Sequence, residues 1–375
     1  MDDFNETILR IDLSALVANY DIIRRRTGPA DVAAVVKADA YGLGAVAVTD
    51  TLSDQGCKHF FVATLAEAKA LKCGMRDRSA AVYVLNGLQP QAEDECAAIG
   101  AIPVLNSLDQ IGRWAATARS RGCELPAVLQ VDTGMSRLGL SGDEASLLLN
   151  ERDRLSGIGL QMIMTHLACA DDPRSGFNQV QAGGFEAFCA QFPSVRRSLD
   201  NSGGAFLNRD HFDIVRAGIA LYGGAPNDEP NPMWPVVSLY AGIIQLRTIA
   251  AGTGVGYGLT HCATRPSHIA TLAIGYADGW PRHLSGKGWG FIGGIRVPII
   301  GRVSMDSISV DVTGVPDCLL FPGAHVQLIG PNQTIDEVAA DAGTISYEIL
   351  TQLGHRYARE YIPARAAAFE RSLNL

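Results

Sequence analysis

One lysine ends an apolar run near the start of the chain. The stretch AAVVKADAYGLGA, residues 33–45, places Lys37 directly after four apolar residues and follows it with Tyr41 and two glycines. A desolvated lysine amine can form a Schiff base with a carbonyl cofactor. A hydroxyl and the backbone N–H groups of a glycine-containing loop can hold a phosphate. The pattern makes Lys37 a candidate cofactor-binding residue, whereas most lysines at strand ends only reach solvent.

Further polar residues follow apolar runs in the same way, namely Arg137, His166, Asn201 and Arg216. In a barrel of parallel strands, the chemistry takes place at the carboxyl ends of the strands. This placement makes the four residues candidates for the site that contains Lys37. Taken alone, Arg137 is typical of a loop arginine, His166 of a packed histidine and Arg216 of a surface ion pair.

The elements that carry these residues alternate between strand and helix. TILRID, from Thr7, is a predicted strand, and a helix follows it with Asp12 or Ser14 as the N-cap. Eight strand candidates come next, with helix-compatible segments in most gaps: DVAAVV, HFFVAT, AAVYVL, AIPVLN, AVLQVD, GLQMIMTH, VRRSLD and FDIVRAG. This order predicts an α/β protein with an N-terminal (β/α)8 TIM-like barrel over residues 1–235. A doubly wound parallel sheet stays open as the competing arrangement.

The sequence changes character at GGAPNDEPNPMWP, residues 223–235, whose four prolines break regular structure. Alternating and glycine-rich strand patterns follow, as in HIATLAIGYADGW and HVQLIG. Residues 236–375 are therefore expected to form a mostly β domain, with ISYEILTQLG as one short helix. Residues 1–12 are a candidate segment for packing against this second domain.

Composition narrows the class of protein. The chain has 375 residues, 47% hydrophobic and 19% charged, with a net charge of −8, which is typical of a globular enzyme and unfavourable for binding nucleic acid or anionic membranes. None of its eight cysteines forms a C-x-x-C pair or a zinc pattern, so no metal site is expected and the thiols are interpreted as reduced. The chain shows neither a signal-peptide pattern nor a membrane-spanning run, and a cytoplasmic location is predicted.

The stretch around Lys37 resembles the cofactor-lysine motif of alanine racemases, which use pyridoxal phosphate (PLP). The resemblance continues to about residue 360 through segments that follow the family order: DTGMSRLG (132–139), THLACAD (165–171), NSGG (201–204), VRAGIALYG (215–223), VGYG (255–258), IGYADGW (274–280), GRVSMDSISVD (301–311) and ISYEIL (345–350). It implies a barrel followed by a β domain. It also implies a homodimer in which the β domain of each subunit contributes to the active site of its partner.

The resemblance implies a two-base reaction. Lys37 would hold PLP and act on one face of the substrate Cα, and Tyr257 of the partner subunit would act on the other face. Arg216 would donate a hydrogen bond to the pyridine nitrogen, which would then stay unprotonated and make the ring a weaker electron sink. The implied cofactor-binding residues are Lys37, Tyr41, His166, Ser202, Arg216, Gly218, Ile219 and Tyr347. The implied substrate-binding residues are Arg137 and Met305, and the implied entrance residues are Tyr276, Asp171, Arg282 and Arg302.

One position departs from the family pattern. Many members have a carbamylated lysine seven residues before the arginine of the GMxRLG motif, and this chain has Gln130 there. Gln130 cannot be carbamylated. We hypothesise that it orients Arg137 through its amide oxygen, or that a bound anion such as chloride takes that role.

The sequence thus favours a racemase that interconverts L-alanine and D-alanine, in either biosynthesis or catabolism. A broad-specificity or serine-type racemase on the same scaffold is the first alternative. A PLP decarboxylase of similar architecture is disfavoured by Arg216, because decarboxylation gains from a protonated pyridine. A non-catalytic PLP-binding protein is the most distant alternative, since those relatives resemble the barrel alone.

Overall fold

The computed structural model describes residues 7–364, and these residues form two compact units. One unit contains the described residues up to Leu16, Tyr222–Gly224 and the chain from Trp234 onward. The other contains Val17–Leu221 and Ala225–Met233. Residues 1–6 of the segment predicted to pack with the second domain, and residues 365–375 of that domain, lie outside the described residues.

The described residues begin with strand β1 (Thr7–Asp12) and helix α1 (Leu13–Thr27). Oδ1 of Asp12 accepts hydrogen bonds from the backbone N–H groups of Ser14, at 2.8 Å, and Ala15, at 3.0 Å. Asp12 rather than Ser14 is therefore the residue that caps the helix.

The unit that starts at Val17 contains alternating strands and helices. Its strands are β2 (Asp31–Val35), β3 (His59–Val62), β4 (Ala81–Val84), β5 (Ile102–Leu105), β6 (Leu125–Gln130), β7 (Ile158–Met164), β8 (Arg196–Ser198) and β9 (Ile214–Ala217). Its further helical segments are α2 (Lys37–Gly42), α3 (Ala45–Asp54), α4 (Leu65–Gly74), α5 (Glu93–Ile99), α6 (Leu108–Arg121), α7 (Gly142–Asn150) and α8 (Phe177–Cys189). Segment α2 is a left-handed turn and not a right-handed helix. The strands are parallel in the order β8-β7-β6-β5-β4-β3-β2-β9. This confirms the predicted (β/α)8 barrel and all of its strand candidates. Strands covered on both faces appear in a sequence as apolar runs, and β8, with the sequence RRS, is the exception among them.

The two ends of this strand order meet at a seam between β8 and β9. The backbone N–H of Arg216 donates to the carbonyl oxygen of Asp200 at 2.9 Å. The hydroxyl of Ser198 donates to the carbonyl oxygen of Ile214 at 2.7 Å. Hydrogen bonds between the segments around β8 and β9, including these two, thus close the barrel.

The other unit is mostly β, as predicted. Its strands are β10 (Val237–Ile249), β11 (Gly254–Val255), β12 (His261–Cys262), β13 (Ser267–Leu272), β14 (Trp289–Ile292), β15 (Ile295–Ile300), β16 (Ile308–Asp311), β17 (His325–Ile329) and β18 (Ala358–Ile362). The main sheet has the order β13-β16-β15-β14-β17-β10-β1-β18, with a further β13–β10 pairing. Strand β1 pairs antiparallel with β10 and parallel with β18, so the start of the described chain belongs to this sheet.

The β unit contains α9 (Ile335–Ala342) and α10 (Ser346–Gln352), whereas the sequence pattern predicted only one short helix. The predicted helix corresponds to α10. The missed helix, α9, begins with a capping box in which Thr334 and Glu337 bond each other's backbone. The T-x-x-E spacing was the signal that could have revealed it. Within residues 7–364, no helix has the length and apolar character needed to cross a membrane.

Candidate active site

Lys37 follows β2 at the carboxyl end of that strand and is half-buried. Burial lowers the pKa of its amine, the nearby positive charge of Arg137 lowers it further, and the carboxylate of Glu67 partly opposes both effects. A lower pKa leaves a larger fraction of the amine neutral near pH 7, and only the neutral amine is a nucleophile or a base. The structure therefore places Lys37 in an environment that favours a nucleophilic or basic amine.

The four residues after Lys37 form a left-handed turn. Ala38, Asp39, Ala40 and Tyr41 have φ angles of 52–57° and ψ angles of 34–52°. Each such residue costs about 1–2 kcal/mol relative to the right-handed conformation. Hydrogen bonds to Asp39 stabilise the turn: Ala45 N–H donates to its carboxylate at 2.7 Å, and Gly44 N–H donates to its carbonyl oxygen at 2.9 Å. The turn makes Tyr41 a buried residue of the site.

A group of polar atoms suited to a phosphate lies after β9. The hydroxyl of Ser202 accepts hydrogen bonds from the N–H groups of Gly218, at 2.9 Å, and Ala220, at 3.3 Å. A Cβ atom at Gly218 would collide with the hydroxyl of Tyr41, so the absence of a side chain at Gly218 is what lets this hydroxyl approach. Ile219 begins the next 3-10 turn. Two hydroxyls and the start of a turn thus converge at one point, which fits a phosphate group.

Arg216 lies inside the barrel, with 3% of its surface exposed. Nη1 donates to the hydroxyl of Ser198 at 2.5 Å, and Nη2 donates to the carbonyl oxygens of Thr165, at 2.6 Å, and Leu199, at 3.3 Å. Burial lowers the pKa of the guanidinium to about 10, with a smaller opposite effect from Asp200. The group therefore stays charged near pH 7, and neutral acceptors hold it in one orientation.

His166 accepts a hydrogen bond from Arg216, whose Nη2 lies 3.2 Å from Nδ1 of the ring. Burial lowers the pKa of His166 well below its ordinary value, and the positive charges of Arg216, Arg137 and Lys37 lower it further. Nδ2 of Asn201 lies 3.5 Å from Nε2 of the same ring. The structure thus brings the predicted strand-end residues together and keeps the imidazole neutral.

Arg137 is exposed and lies on a loop whose backbone is hydrogen-bonded to the side chains of Asp132 and Gln130. One carboxylate oxygen of Asp132 accepts hydrogen bonds from the N–H groups of Gly134, Met135 and Ser136 at 2.9–3.1 Å. Gln130 is buried, and its Nε2 donates to the carbonyl oxygen of Leu138 at 3.1 Å. The amide of Gln130 therefore bonds the residue after Arg137, whereas the hypothesis from the sequence directed its oxygen to the Arg137 side chain.

Asp171, the entrance candidate of the barrel unit, is exposed, and its carbonyl oxygen accepts the N–H of Asp228 at 2.9 Å. The other implied residues belong to the β unit. Tyr257 lies on a 3-10 turn between β11 and β12 with 71% of its surface exposed, and the guanidinium of Arg302 lies against the neighbouring Gly258.

Tyr276 and Met305 are adjacent in the β unit. Tyr276 N–H donates to the carbonyl oxygen of Ser304, and Ala277 N–H donates to that of Met305, both at 3.0 Å. Both side chains are exposed. Tyr347, in the first turn of α10, is also exposed, and Arg282 begins a 3-10 turn.

Sequence reasoning missed several residues that position this site, including Ser198, Asp132 and Glu67. Asp132 had a detectable signal, since an aspartate two residues before a glycine commonly accepts backbone N–H groups in a turn. The bonds of Ser198 to Ile214 and Arg216, and of Glu67 to Ala38, join residues distant in sequence, and local patterns do not reveal such contacts.

Comparison with known proteins agrees with the resemblance seen in the sequence. The family model of the alanine racemase N-terminal domain matches residues 11–226, and that of the C-terminal domain matches residues 236–361. The chain is 51% identical over 356 residues to a catabolic alanine racemase of Agrobacterium fabrum, covering 94% of this chain and 92% of that protein. It is 50% identical over 370 residues to an alanine racemase of Brucella abortus, covering 95% and 93% of the two chains.

Solved structures extend the agreement to the fold. An alanine racemase from Bartonella henselae, determined with covalently bound pyridoxal phosphate, superposes with a TM-score of 0.91 at 43% identity, covering 95% of this chain and 99% of that one. An alanine racemase from Streptomyces coelicolor gives a TM-score of 0.91 at 30% identity, with 96% and 99% coverage.

Proposed function

Because this chain belongs to the alanine racemase family, we propose that it interconverts L-alanine and D-alanine with pyridoxal phosphate held on Lys37. The observation that carries the proposal is the half-buried Lys37, with its lowered pKa, at the carboxyl end of β2. His166 follows β7 and Arg216 lies near the end of β9, and a hydrogen bond joins the two side chains.

The described residues fit this cofactor. The hydroxyls of Tyr41 and Ser202, with the backbone at Gly218 and Ile219, are suited to its phosphate. When bound, PLP supplies an electron sink that stabilises the negative charge left at Cα after proton removal. Arg216 offers only donors, so it matches an unprotonated ring nitrogen.

Lys37 then serves as an acid and base at Nζ. The lowered pKa lets Nζ accept the Cα proton of one enantiomer on one face and, in the reverse direction, donate a proton to that same face. Racemisation needs a second group on the opposite face, and Tyr257 is our candidate. Its exposed phenol on a projecting turn supports the proposal that it acts in the site of a second copy, in a homodimer.

We also propose that the enzyme works in the cytoplasm. All eight cysteines lie within residues 7–364 and are free, and four of them are exposed: Cys73, Cys123, Cys262 and Cys318. Exposed thiols remain reduced in such a compartment.

Proton NMR in D2O tests the reaction. The protein is mixed with PLP and L-alanine, and the Cα–H signal is followed together with a chiral assay. We expect loss of the signal with formation of D-alanine, complete loss of turnover in Lys37→Ala, and full turnover in the exposed control Lys287→Ala. Racemisation by Lys37→Ala would overturn the assignment.

The same assay separates the alternatives. Serine, lysine and arginine as substrates define the breadth of the reaction, because one methylene is worth only about 1–3 kcal/mol of discrimination. PLP bound at Lys37 without exchange of any amino acid would instead indicate a non-catalytic PLP-binding protein.

A further inference from the structure

Glu67 connects the start of α4 to the residue that follows Lys37. One carboxylate oxygen, Oε2, accepts the backbone N–H groups of Ala63, at 2.7 Å, and Thr64, at 3.2 Å. The other oxygen, Oε1, accepts the N–H of Ala38 at 2.8 Å. Thr64 completes a capping box by accepting the N–H of Glu67. One side chain thus caps a helix and holds the chain at the cofactor lysine.

The bond to Ala38 acts at the start of a stretch whose left-handed backbone is unfavourable for residues other than glycine. Ala38 is the first residue of the left-handed turn, with φ 52°. Because the peptide unit between Lys37 and Ala38 is planar, a hydrogen bond to the N–H of Ala38 also sets the direction in which the Lys37 backbone leaves β2. A charged acceptor makes this bond stronger than one between neutral groups.

The negative charge of Glu67 acts on the pKa of Lys37 in the opposite direction to the positive charge of Arg137. Arg137, on the loop after β6, lowers the pKa of the Lys37 amine, and Glu67, on α4, raises it. His166, after β7, is the third titratable group in this set, and its pKa responds to the charge of Lys37.

We propose that Glu67 is a positioning residue for Lys37, which it places by holding the Ala38 N–H at the start of the left-handed turn. The proposal rests on the proposed function for the role of Lys37 in turnover. The contact itself does not depend on that function.

The chain offers a closely matched control in Glu144. It completes the capping box of α7 with Ser141, and its Oε2 accepts Ser141 N–H at 3.1 Å. Its Oε1 accepts a backbone N–H from another segment, that of Leu108, at 3.0 Å. Glu67 and Glu144 therefore make the same kinds of bonds, and only Glu67 bonds the residue next to Lys37.

Hydrogen exchange with mass spectrometry tests the contact without using activity. Peptides covering residues 36–45 and 106–112 are compared in wild type, Glu67→Ala, Glu67→Gln, Glu144→Ala and Glu144→Gln, each without cofactor. We expect exchange in 36–45 to rise about tenfold or more in Glu67→Ala and to stay unchanged in Glu144→Ala. Exchange in the peptide 106–112 should rise in Glu144→Ala and stay unchanged in Glu67→Ala. Unchanged exchange in 36–45 in both Glu67 variants would overturn the proposal.

A spectroscopic titration tests the effect on Lys37. Visible absorbance of the lysine-bound cofactor is followed against pH in the loaded wild type, Glu67→Gln and Glu144→Gln. We expect the transition to move to lower pH in Glu67→Gln alone, because removing a nearby carboxylate disfavours the protonated, positively charged form of the group at Nζ. We expect kcat to fall about tenfold or more in Glu67→Ala with a smaller change in KM.

The outcomes separate this proposal from the proposed function. Equal losses of kcat in the Glu67 and Glu144 variants would show a general structural role and overturn the positioning role. A wild type that racemises no amino acid, together with the expected exchange pattern, would overturn the function and leave the contact established.

Discussion

The guanidinium of Arg216 donates a hydrogen bond from Nη2 to Nδ1 of His166 across 3.2 Å. An arginine has no acceptor, so Nδ1 of His166 must be unprotonated in this pair. Burial, followed by the charges of Arg216, Arg137 and Lys37, holds the pKa of His166 well below its ordinary value. The pair therefore keeps a neutral imidazole close to Lys37.

The lowered pKa of His166 predicts a pH-dependent stability. Below about pH 6.5 the unfolded chain binds a proton at this histidine, whereas the folded chain does not, so the free energy of unfolding falls as the pH falls. The contribution reaches about 1.4 kcal/mol per pH unit. We expect His166→Gln to reduce this slope in urea unfolding between about pH 7 and pH 5. The matched control is His268→Gln, at an exposed histidine on β13. Parallel slopes for wild type and His166→Gln would contradict the prediction.

Ser198→Ala is expected to weaken the seam of the barrel. The substitution removes the donor to Ile214 and the acceptor of Arg216. Leaving buried polar groups without partners costs about 1–3 kcal/mol each. We expect the free energy of unfolding to fall by about 2–4 kcal/mol in urea titration of the cofactor-free protein. Ser146→Ala, at an exposed serine on α7, should change it by less than about 0.5 kcal/mol. A similar change in both variants would show that the seam bonds contribute little.

Gly218→Ala is expected to push the hydroxyl of Tyr41 out of place. The added Cβ collides with that hydroxyl, and overpacking of this kind costs about 1–3 kcal/mol. The double variant Gly218→Ala/Tyr41→Phe should recover most of the loss, since Tyr41→Phe removes the atom that collides. Thermal unfolding of the wild type, the two single variants and the double variant measures the coupling free energy between the two positions.

The control for this cycle is Gly112→Ala on α6, where a Cβ meets no atom within 4 Å. This change should stabilise the protein by about 0.5–1 kcal/mol, because alanine favours the helix over glycine. Additive effects of Gly218→Ala and Tyr41→Phe would disprove the collision.

Asp132→Ala is expected to loosen the loop that presents Arg137. The carboxylate holds three successive backbone N–H groups before Arg137, and Gln130 holds the carbonyl after it. If Arg137 binds the substrate carboxylate, KM for alanine should rise about tenfold or more in Asp132→Ala. Gln130→Ala should act in the same direction, and activity should not depend on chloride. Restoration of the activity of Gln130→Ala by added chloride would favour the bound-anion hypothesis instead.

If Tyr257 serves one face of Cα, as proposed above, Tyr257→Phe is expected to slow proton removal from one enantiomer of alanine more than from the other. Deuterium exchange from L-alanine and D-alanine, measured separately, checks this. Equal losses in both directions without a change in stability would contradict a one-faced role.

Mixing two inactive variants tests whether Tyr257 acts across a dimer. A hybrid of Lys37→Ala and Tyr257→Phe subunits contains one site with both groups intact if Tyr257 comes from the partner. Co-refolding or subunit exchange should then restore activity. Failure to restore activity in verified hybrids would place both groups in the same subunit.

The sequence by itself determined the order of strands and helices, because strands buried on both faces need continuous apolar runs and helices need periodic ones. It also identified the strand-end residues Lys37, His166 and Arg216, since parallel strands of a barrel bring their carboxyl ends to one face. Helix α9 was missed even though its capping box was present in the sequence.

Only the tertiary structure decided how these residues are held. The left-handed turn from Ala38 to Tyr41 contains no glycine, so local preference opposes it, and contacts distant in sequence, such as that from Glu67, stabilise it. The orientation of Arg216 likewise depends on Ser198 and Thr165, on two other strand ends. Local sequence determines which backbone conformations are low in free energy. Packing and long-range hydrogen bonds stabilise the less favourable conformations that the site requires.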